Sequence, residues 1–121
     1  MTKIMFRHIS GSRATEVDVV ALGAHRELIL GRAPSAAVRF DPLHDRDVGR
    51  HHARISWSDA APTIFEIADL RSRNGTYVNG RLITTPMRLN AGDVIQLGAA
   101  GPEIEVRWEL SMSSTMLHLI G

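Results

Sequence analysis

The chain lacks cysteine altogether, and its 121 residues include one tyrosine, two tryptophans and three phenylalanines. Without cysteine, the sequence excludes a disulfide framework and a cysteine-based zinc site. No apolar run approaches the roughly 20 residues that cross a bilayer, so no membrane insertion is expected. Fourteen Lys and Arg residues stand against 13 Asp and Glu residues, and this balance does not favour a nucleic-acid partner.

The length of the chain is enough for one domain with a hydrophobic core and too short for two. The first residues, Met1 to His8, carry no long apolar segment, so a cytoplasmic location is the expectation. A small binding domain is often one module of several. Other domains of a larger polypeptide are therefore expected partners as well.

Alternation of apolar and polar residues with a period of two dominates the sequence. It runs without a fault over residues 103–110 and recurs over residues 53–58, which predicts strands with one buried face. Turn residues recur about every ten positions, and Asn79-Gly80 predicts a two-residue hairpin. Many short strands with even turn spacing predict an all-β sandwich or barrel. The residues predicted to lie mainly in its core are Ile55, Trp57, Ile104, Val106 and Trp108.

The strand pattern ends near residue 110. Ser111 to Ser114 is linker-like and Met116 to Ile120 is apolar. The sequence therefore predicts a domain over residues 1–110, followed by a tail or the start of a linker over residues 111–121. A final strand is the open alternative for this segment.

Three short pieces of sequence lie next to the predicted strands. They are Gly31-Arg32, Val48 to Ala53 and Ser72 to Thr76. Each lies at a strand end, so we expect the three to meet at the rim of the domain. They supply arginines that can contact two phosphate oxygens at once and an asparagine that can bind a main chain. This combination indicates a site for a phosphate carried on an extended peptide.

Together with Asp69 to Gly80 and Leu89 to Gly98, these pieces resemble the signature blocks of the forkhead-associated (FHA) domain, in the same order and spacing. The resemblance covers about Gly31 to Gly98. It implies a two-sheet antiparallel β-sandwich of about eleven strands, with the binding loops at one end. It also implies a module that binds phosphothreonine segments of partner proteins in Ser/Thr-kinase signalling, with no cofactor and no catalytic residue.

The resemblance assigns roles to individual residues. Arg32 matches the phosphate-binding arginine, and Asn74 matches the asparagine that binds the peptide backbone, beside a small apolar recess for the threonine methyl. Arg73 falls where the family borders the phosphothreonine pocket. His52 matches a structural histidine, which leaves His51 to point outward. The expected support of the site comes from Gly31, His52, Ser72, Gly75 and Thr76.

Gly49 departs from the family pattern, which usually has serine at this position. A phosphate carries about −1.5 to −2 charges at pH 7, and the hydroxyl that would donate to it is missing here. The backbone N–H of Gly49 and the charge of Arg50 are the expected substitutes. Asp47 lies two residues earlier and would repel the ligand unless Arg46, Arg50 or Arg73 neutralises it, although an aspartate that stabilises its own turn is the simpler interpretation.

Other chemistries have weaker support in the sequence. Possible metal ligands cluster between residues 41 and 52, but their spacing matches no zinc-protease or EF-hand motif; they are Asp41, His44, Asp45, Asp47, His51 and His52. Hydrolase motifs are also missing. Two functions remain: a phosphothreonine-dependent binding module, or a phosphate-independent interaction or scaffold domain on the same fold with a degenerate phosphate site.

Overall fold

The computed structural model describes residues 2–23, 25–58 and 60–110, and within these ranges it contains eleven strands and no helix. No helix that could cross a membrane is found in the described residues. The strands are β1 (Thr2–His8), β2 (Val17–Ala21), β3 (Glu27–Gly31), β4 (Val38–Arg39), β5 (Ala53–Ser58), β6 (Ala61–Asp69), β7 (Thr76–Val78), β8 (Arg81–Leu82), β9 (Met87–Arg88), β10 (Val94–Leu97) and β11 (Glu103–Leu110). The predicted all-β class is confirmed.

The strands form two sheets. One has six strands in the order β2-β1-β11-β10-β7-β8, and the other has five in the order β4-β3-β5-β6-β9. The pairing is antiparallel except between β3 and β4, where Leu30 lies opposite Val38 in a parallel pair. The predicted two-sheet sandwich is therefore confirmed, with one parallel pair at a sheet edge that the sequence did not indicate.

The core follows the alternation read from the sequence. Ile104 and Val106 of β11 are fully buried, as is Ile55 of β5. The residues that alternate with them along each strand face outward. The predicted burial of the two tryptophans is only partly met, because Trp57 and Trp108 are half-buried. Both rings pack against the buried ring of Phe65, with centroid distances of 5.6 and 4.7 Å, so they cover the margin of the core and do not fill its centre.

The hairpin predicted at Asn79-Gly80 joins β7 to β8. Both residues have positive φ, 50° for Asn79 and 81° for Gly80. These values fit a two-residue type I′ turn, in which both central residues are left-handed. The turn is further fixed by the Asn79 side chain, since its Oδ1 accepts a hydrogen bond of 2.9 Å from the amide of Val94 in β10.

Strand register brings the predicted site loops to one end of the sandwich. Leu30 near the end of β3 pairs with Ala53 at the start of β5, and Ala53 in turn pairs with Asp69 at the end of β6. In the other sheet, Thr76 at the start of β7 pairs with Leu97 at the end of β10. The loops over residues 32–37, 40–52, 70–75 and 98–102 therefore emerge at the same end, as predicted.

The predicted boundary after residue 110 stays a prediction. The tail over residues 111–121 lies outside the described residues, and so does the choice between a linker and a final strand.

Candidate functional site

Gly31 closes β3 at a point where another backbone segment passes directly over it. A Cβ atom at this position would lie 2.0 Å from the carbonyl oxygen of Arg50 and 2.9 Å from that of Gly49. A strand end that turns sharply often needs a glycine with a left-handed φ, but the φ of Gly31 is not in that region. The physical reason for glycine is the close approach of the two backbones.

Arg32 follows immediately and is fastened to the loop over residues 40–52. Its backbone amide donates to the carbonyl of Gly49 at 3.0 Å. The half-buried side chain donates from Nε to the carbonyl of Val48 and from Nη1 to the carbonyl of Pro42, the latter at 3.2 Å. A guanidinium has five N–H groups. Three of them therefore remain without an acceptor among the described residues and are available to an anion.

His52 is fully buried and bridges two of the loops. Its Nδ1 accepts a hydrogen bond of 2.9 Å from the amide of Gly49, so this nitrogen carries no proton. Its Nε2 lies 2.8 Å from the carbonyl oxygen of Gly75 and donates to it. Burial lowers the pKa of His52, against the opposing effects of the Gly75 carbonyl and the charge of Asp69. The ring is therefore neutral and links two loops by hydrogen bonds, whereas His51 is exposed.

The lowered pKa of His52 predicts a loss of stability in weak acid. The unfolded residue titrates near its ordinary pKa of 6.5, whereas the folded one stays neutral to lower pH. The contribution of His52 to the free energy of unfolding is fully present above pH 6.5. It is lost as the pH falls towards the folded pKa, at no more than about 1.4 kcal/mol per pH unit. Urea unfolding of the ligand-free domain across this range should show the decline.

The matched controls for this titration are His52→Gln and His51→Ala. The first removes the titrating group, so the pH slope should flatten between pH 6.5 and the folded pKa. The second changes an exposed histidine and should leave the slope as in the unmodified chain. An unaltered slope in His52→Gln would contradict the assignment.

The loop over residues 70–75 is organised by the carboxylate of Asp69. Its Oδ1 accepts from the hydroxyls of Ser72 and Thr76, at 2.5 and 2.7 Å, and its Oδ2 accepts from the amide of Ser72 at 3.1 Å. Burial works against the charged form, but these hydrogen bonds outweigh it and lower the pKa of Asp69. The sequence interpretation assigned no role to Asp69. The short spacing of Asp69, Ser72 and Thr76 is typical of a carboxylate-capped turn and could have indicated it.

Ser72 and Thr76, predicted to support the site, both donate to the Asp69 carboxylate; their role in the site stays a prediction. The Ser72 hydroxyl oxygen also accepts the amide of Gly75 at 2.9 Å. Gly75 itself has a φ of +82°, a conformation that favours glycine, whereas the Leu82 side-chain tip 2.7 Å from a Cβ there is exposed and can move aside. Its carbonyl oxygen accepts from His52 and also from the amide of Gly98, each at 2.8 Å. Three loops therefore meet at this one oxygen.

Asn74 lies at the exposed tip of the same loop. Its Nδ2 donates to the carbonyl of Asp47 at 2.9 Å, which ties the tip to the loop over residues 40–52. The second N–H and the Oδ1 of Asn74 have no partner among the described residues. One donor and one acceptor side by side match the C=O and N–H of an extended peptide. The predicted contact of Asn74 with a peptide backbone stays a prediction.

The remaining predicted phosphate contacts differ in how the structure presents them. Arg50 and Arg73 are exposed, and the side chain of neither has a hydrogen bond or ion pair within the described ranges. The N–H of Gly49, expected to contact the anion, is already donated to His52, so that contact is not available in this arrangement. The place of Gly49 in the site stays a prediction, and Arg50 is the substitute that the structure leaves free.

Asp45 is a further supporting residue that the sequence interpretation missed. The residue is 6% exposed, and its Oδ2 accepts from the hydroxyl of Ser12 at 2.6 Å and from the amide of Asp41 at 3.0 Å. It thereby joins the loop over residues 40–52 to the β1–β2 connection. Ser12 and Asp45 are 33 residues apart, so no local motif announces the contact. No metal-binding group of acidic and histidine residues is found in the described part of the chain.

Arg32 and Asn74 contact neighbouring carbonyls of one segment, those of Val48 and Asp47 respectively. A guanidinium with free N–H groups and an amide with a free donor and acceptor therefore flank the same short stretch of backbone. Such an arrangement can bind an anionic group and the main chain beside it at the same time.

Comparison with known proteins agrees with the fold and the loops. The model of the FHA domain family matches residues 28–98, which is more than half of the chain. The chain belongs to the FHA domain family. Its fold resembles that of an FHA domain analysed for phosphothreonine-dependent interactions, with a TM-score of 0.69 and 31% identity over 91% of this chain and 99% of that one. It also resembles the FhaA FHA domain in complex with the intracellular domain of Rv3910, with a TM-score of 0.66 and 31% identity over 86% and 99% of the two chains.

Two curated relatives are much longer proteins. The transcriptional regulatory protein EmbR of Mycobacterium tuberculosis is 40% identical over 70 residues, which are 52% of this chain and 17% of EmbR. The ABC transporter ATP-binding/permease protein Rv1747 of the same species is 36% identical over 77 residues, 58% of this chain and 8% of that protein. The chain thus spans less than a fifth of either relative.

Proposed function

We propose that this chain is a phosphothreonine-dependent binding module that recognises phosphorylated segments of partner proteins in Ser/Thr-kinase signalling. In this role it is a binding domain without enzymatic activity, and it works in the cytoplasm, where kinases phosphorylate such partners with ATP. The analysed phosphothreonine-dependent interactions of a similar FHA domain support the proposal.

The observation that carries the proposal is the placement of Arg32 and Asn74 on neighbouring carbonyls. The free N–H groups of Arg32 are offered to phosphate oxygens, and the free donor and acceptor of Asn74 are offered to the peptide backbone beside the phosphothreonine. Arg50 and Arg73 add positive charge that no described acidic residue neutralises. We propose Arg32, Arg50 and Arg73 as the phosphate contacts, Gly49 as the position beside the phosphate whose amide His52 already holds, and Asn74 as the backbone contact.

The experiment is binding to an oriented phosphothreonine peptide library beside its unphosphorylated twin. The phosphorylated library should bind selectively, and the best sequences from it should bind less tightly when phosphoserine replaces phosphothreonine. Burial of one methyl group contributes about 0.8 kcal/mol, or about a fourfold preference. Equal binding of phosphorylated and unphosphorylated peptides would overturn the proposal.

Gly49→Ser is expected to tighten phosphopeptide binding about tenfold. A Cβ at this position lies 3.7 Å from the nearest atoms of His52, which is ordinary contact, so serine fits without a shift. Its hydroxyl restores a donor, and a hydrogen bond to a charged group contributes about 1.5–3 kcal/mol. Titration calorimetry with one phosphothreonine peptide measures the change.

Gly49→Ala is the matched control, since it adds the Cβ without the hydroxyl and should not tighten binding. Arg50→Ala should weaken binding more in the unmodified chain than in the Gly49→Ser variant. In the unmodified chain Arg50 substitutes for the missing hydroxyl donor, whereas in Gly49→Ser the serine supplies that donor. Weaker binding by Gly49→Ser would contradict this account of position 49.

A phosphate-independent interaction or scaffold domain is the second candidate. Two observations favour it: position 49 has no hydroxyl and its amide is already used, and no described basic side chain forms an ion pair with Asp47. A natural partner that binds equally well after dephosphorylation, and that is insensitive to Arg32→Ala, would establish this second function.

A further inference from the structure

A groove of about 600 Å³ opens beside the proposed phosphate site. It lies between the β1–β2 connection, the segment over residues 43–47 and the β10–β11 loop. Asp47 belongs to its lining, and the carbonyl of the same residue accepts the hydrogen bond from Asn74. The groove therefore adjoins the point where we place the peptide backbone, and a ligand held at Asn74 can reach it.

Carboxylates outnumber guanidinium groups in the groove, whereas the phosphate side of the site carries arginines. Its lining carries the two carboxylates of Asp45 and Asp47 against the single guanidinium of Arg46. Asp45 is buried and its oxygens are occupied by Ser12 and Asp41. The guanidinium of Arg46 is held over its own turn, where Nε donates to the carbonyl of Leu43 at 3.1 Å.

Asp47 is the acidic group that the groove presents to a ligand. It is exposed, and its carboxylate has no hydrogen bond or ion pair among the residues that the structure describes. Asn74 holds its carbonyl, and Gly98 passes so close to its side chain that a Cβ at Gly98 would lie 3.1 Å from the Asp47 Cβ. An unneutralised carboxylate at this place repels a bare phosphate, and a cation on the ligand would relieve that repulsion.

We infer that Asp47 selects phosphothreonine peptides with a lysine or arginine close to the phosphothreonine, whose side chain enters this groove. The inference rests on the proposed function. Leu43, which is 70% exposed in the groove lining, offers apolar contact to the methylene stem of such a side chain. The ligand is then a peptide with a phosphate for the arginines and a nearby basic head group for Asp47.

The test moves a single lysine through each position on both sides of a phosphothreonine in an otherwise neutral peptide. At one position lysine should tighten binding roughly two- to fivefold relative to alanine, as expected for a solvent-exposed ion pair. Asp47→Asn should remove that preference, and Asp47→Lys should reverse it in favour of a glutamate peptide. Glu66→Gln, a change on an exposed residue of β6 outside the groove lining, should leave the preference unchanged.

The outcomes separate the inference from the proposed function. Phosphate-dependent binding without a lysine preference, or with one that survives Asp47→Asn, would overturn the role of Asp47 and leave the binding function intact. A preference for glutamate in the unmodified chain would also overturn it and would assign the groove to Arg46. Binding that ignores phosphorylation would overturn both.

Discussion

Arg32→Ala is expected to abolish phosphopeptide binding, by at least about a hundredfold, while the fold remains intact. Each hydrogen bond to a charged group contributes about 1.5–3 kcal/mol, and a guanidinium that meets two phosphate oxygens loses two of them. The side-chain contacts that the variant gives up are to the carbonyls of Val48 and Pro42, at a half-buried position that water can reach. Calorimetric binding and a thermal melt of the same sample measure the two effects.

The matched control is Arg88→Ala, which removes an exposed arginine from β9. It should leave binding unchanged within experimental error. Arg32→Lys keeps the charge but loses the planar fork, so its affinity should lie between those of the unmodified chain and Arg32→Ala. If Arg32→Ala remained folded and bound the phosphopeptide within a few-fold of normal, the assignment of Arg32 would be wrong.

Gly31→Ala is expected to have the largest effect on stability, about 3 kcal/mol. The added Cβ would lie 2.0 Å from the carbonyl oxygen of Arg50, and neither partner is the end of a flexible side chain that can move aside. Overpacking commonly costs about 1–3 kcal/mol, and contact between two backbones lies at the upper end of that range. The shift of the segment should weaken phosphopeptide binding as well, because Gly49 and Arg50 move with it. Urea unfolding measures the loss of stability, and calorimetry measures the weaker phosphopeptide binding.

Gly49→Ala provides the comparison for this variant. It makes the same chemical change on the segment that passes over Gly31, yet its Cβ meets only ordinary contacts at 3.7 Å or more. Alanine restricts the unfolded chain more than glycine does, which favours folding by about 0.4–1 kcal/mol where the native backbone tolerates it. Gly49→Ala should thus be neutral or slightly stabilising. Similar unfolding midpoints for the two variants would contradict the steric explanation at Gly31.

The strands and several site residues could be predicted because their signals are local. Alternation in residues 103–110 determines which face of β11 is buried, and Asn79-Gly80 determines its own turn. Arg32 and Asn74 were identified through the family pattern, and the structure gives each of them the free donors or acceptors that its predicted role requires. Alternation also put Trp57 and Trp108 on the inner face, but it does not indicate how close a residue lies to the margin of that face.

The contacts that the sequence did not reveal join segments that are distant in the chain. Gly31 meets the Arg50 carbonyl, and the carboxylate of Asp45 meets Ser12. The amide of Gly49 was expected to be free, but His52 occupies it. A single sequence specifies the residue types in each of these pairs, but not which backbone passes over which.

The meeting of three loops at the carbonyl oxygen of Gly75 has a consequence for how a ligand binds. Hydrogen bonds from His52 and Gly98, all made within the domain itself, hold the loops together. The domain therefore presents a preorganised surface, and most of the conformational entropy lost on association is that of the peptide. Association then requires little rearrangement of the domain, so the encounter rate depends chiefly on long-range attraction between the arginines and the phosphate. Affinity among related peptides should accordingly vary through their dissociation rates.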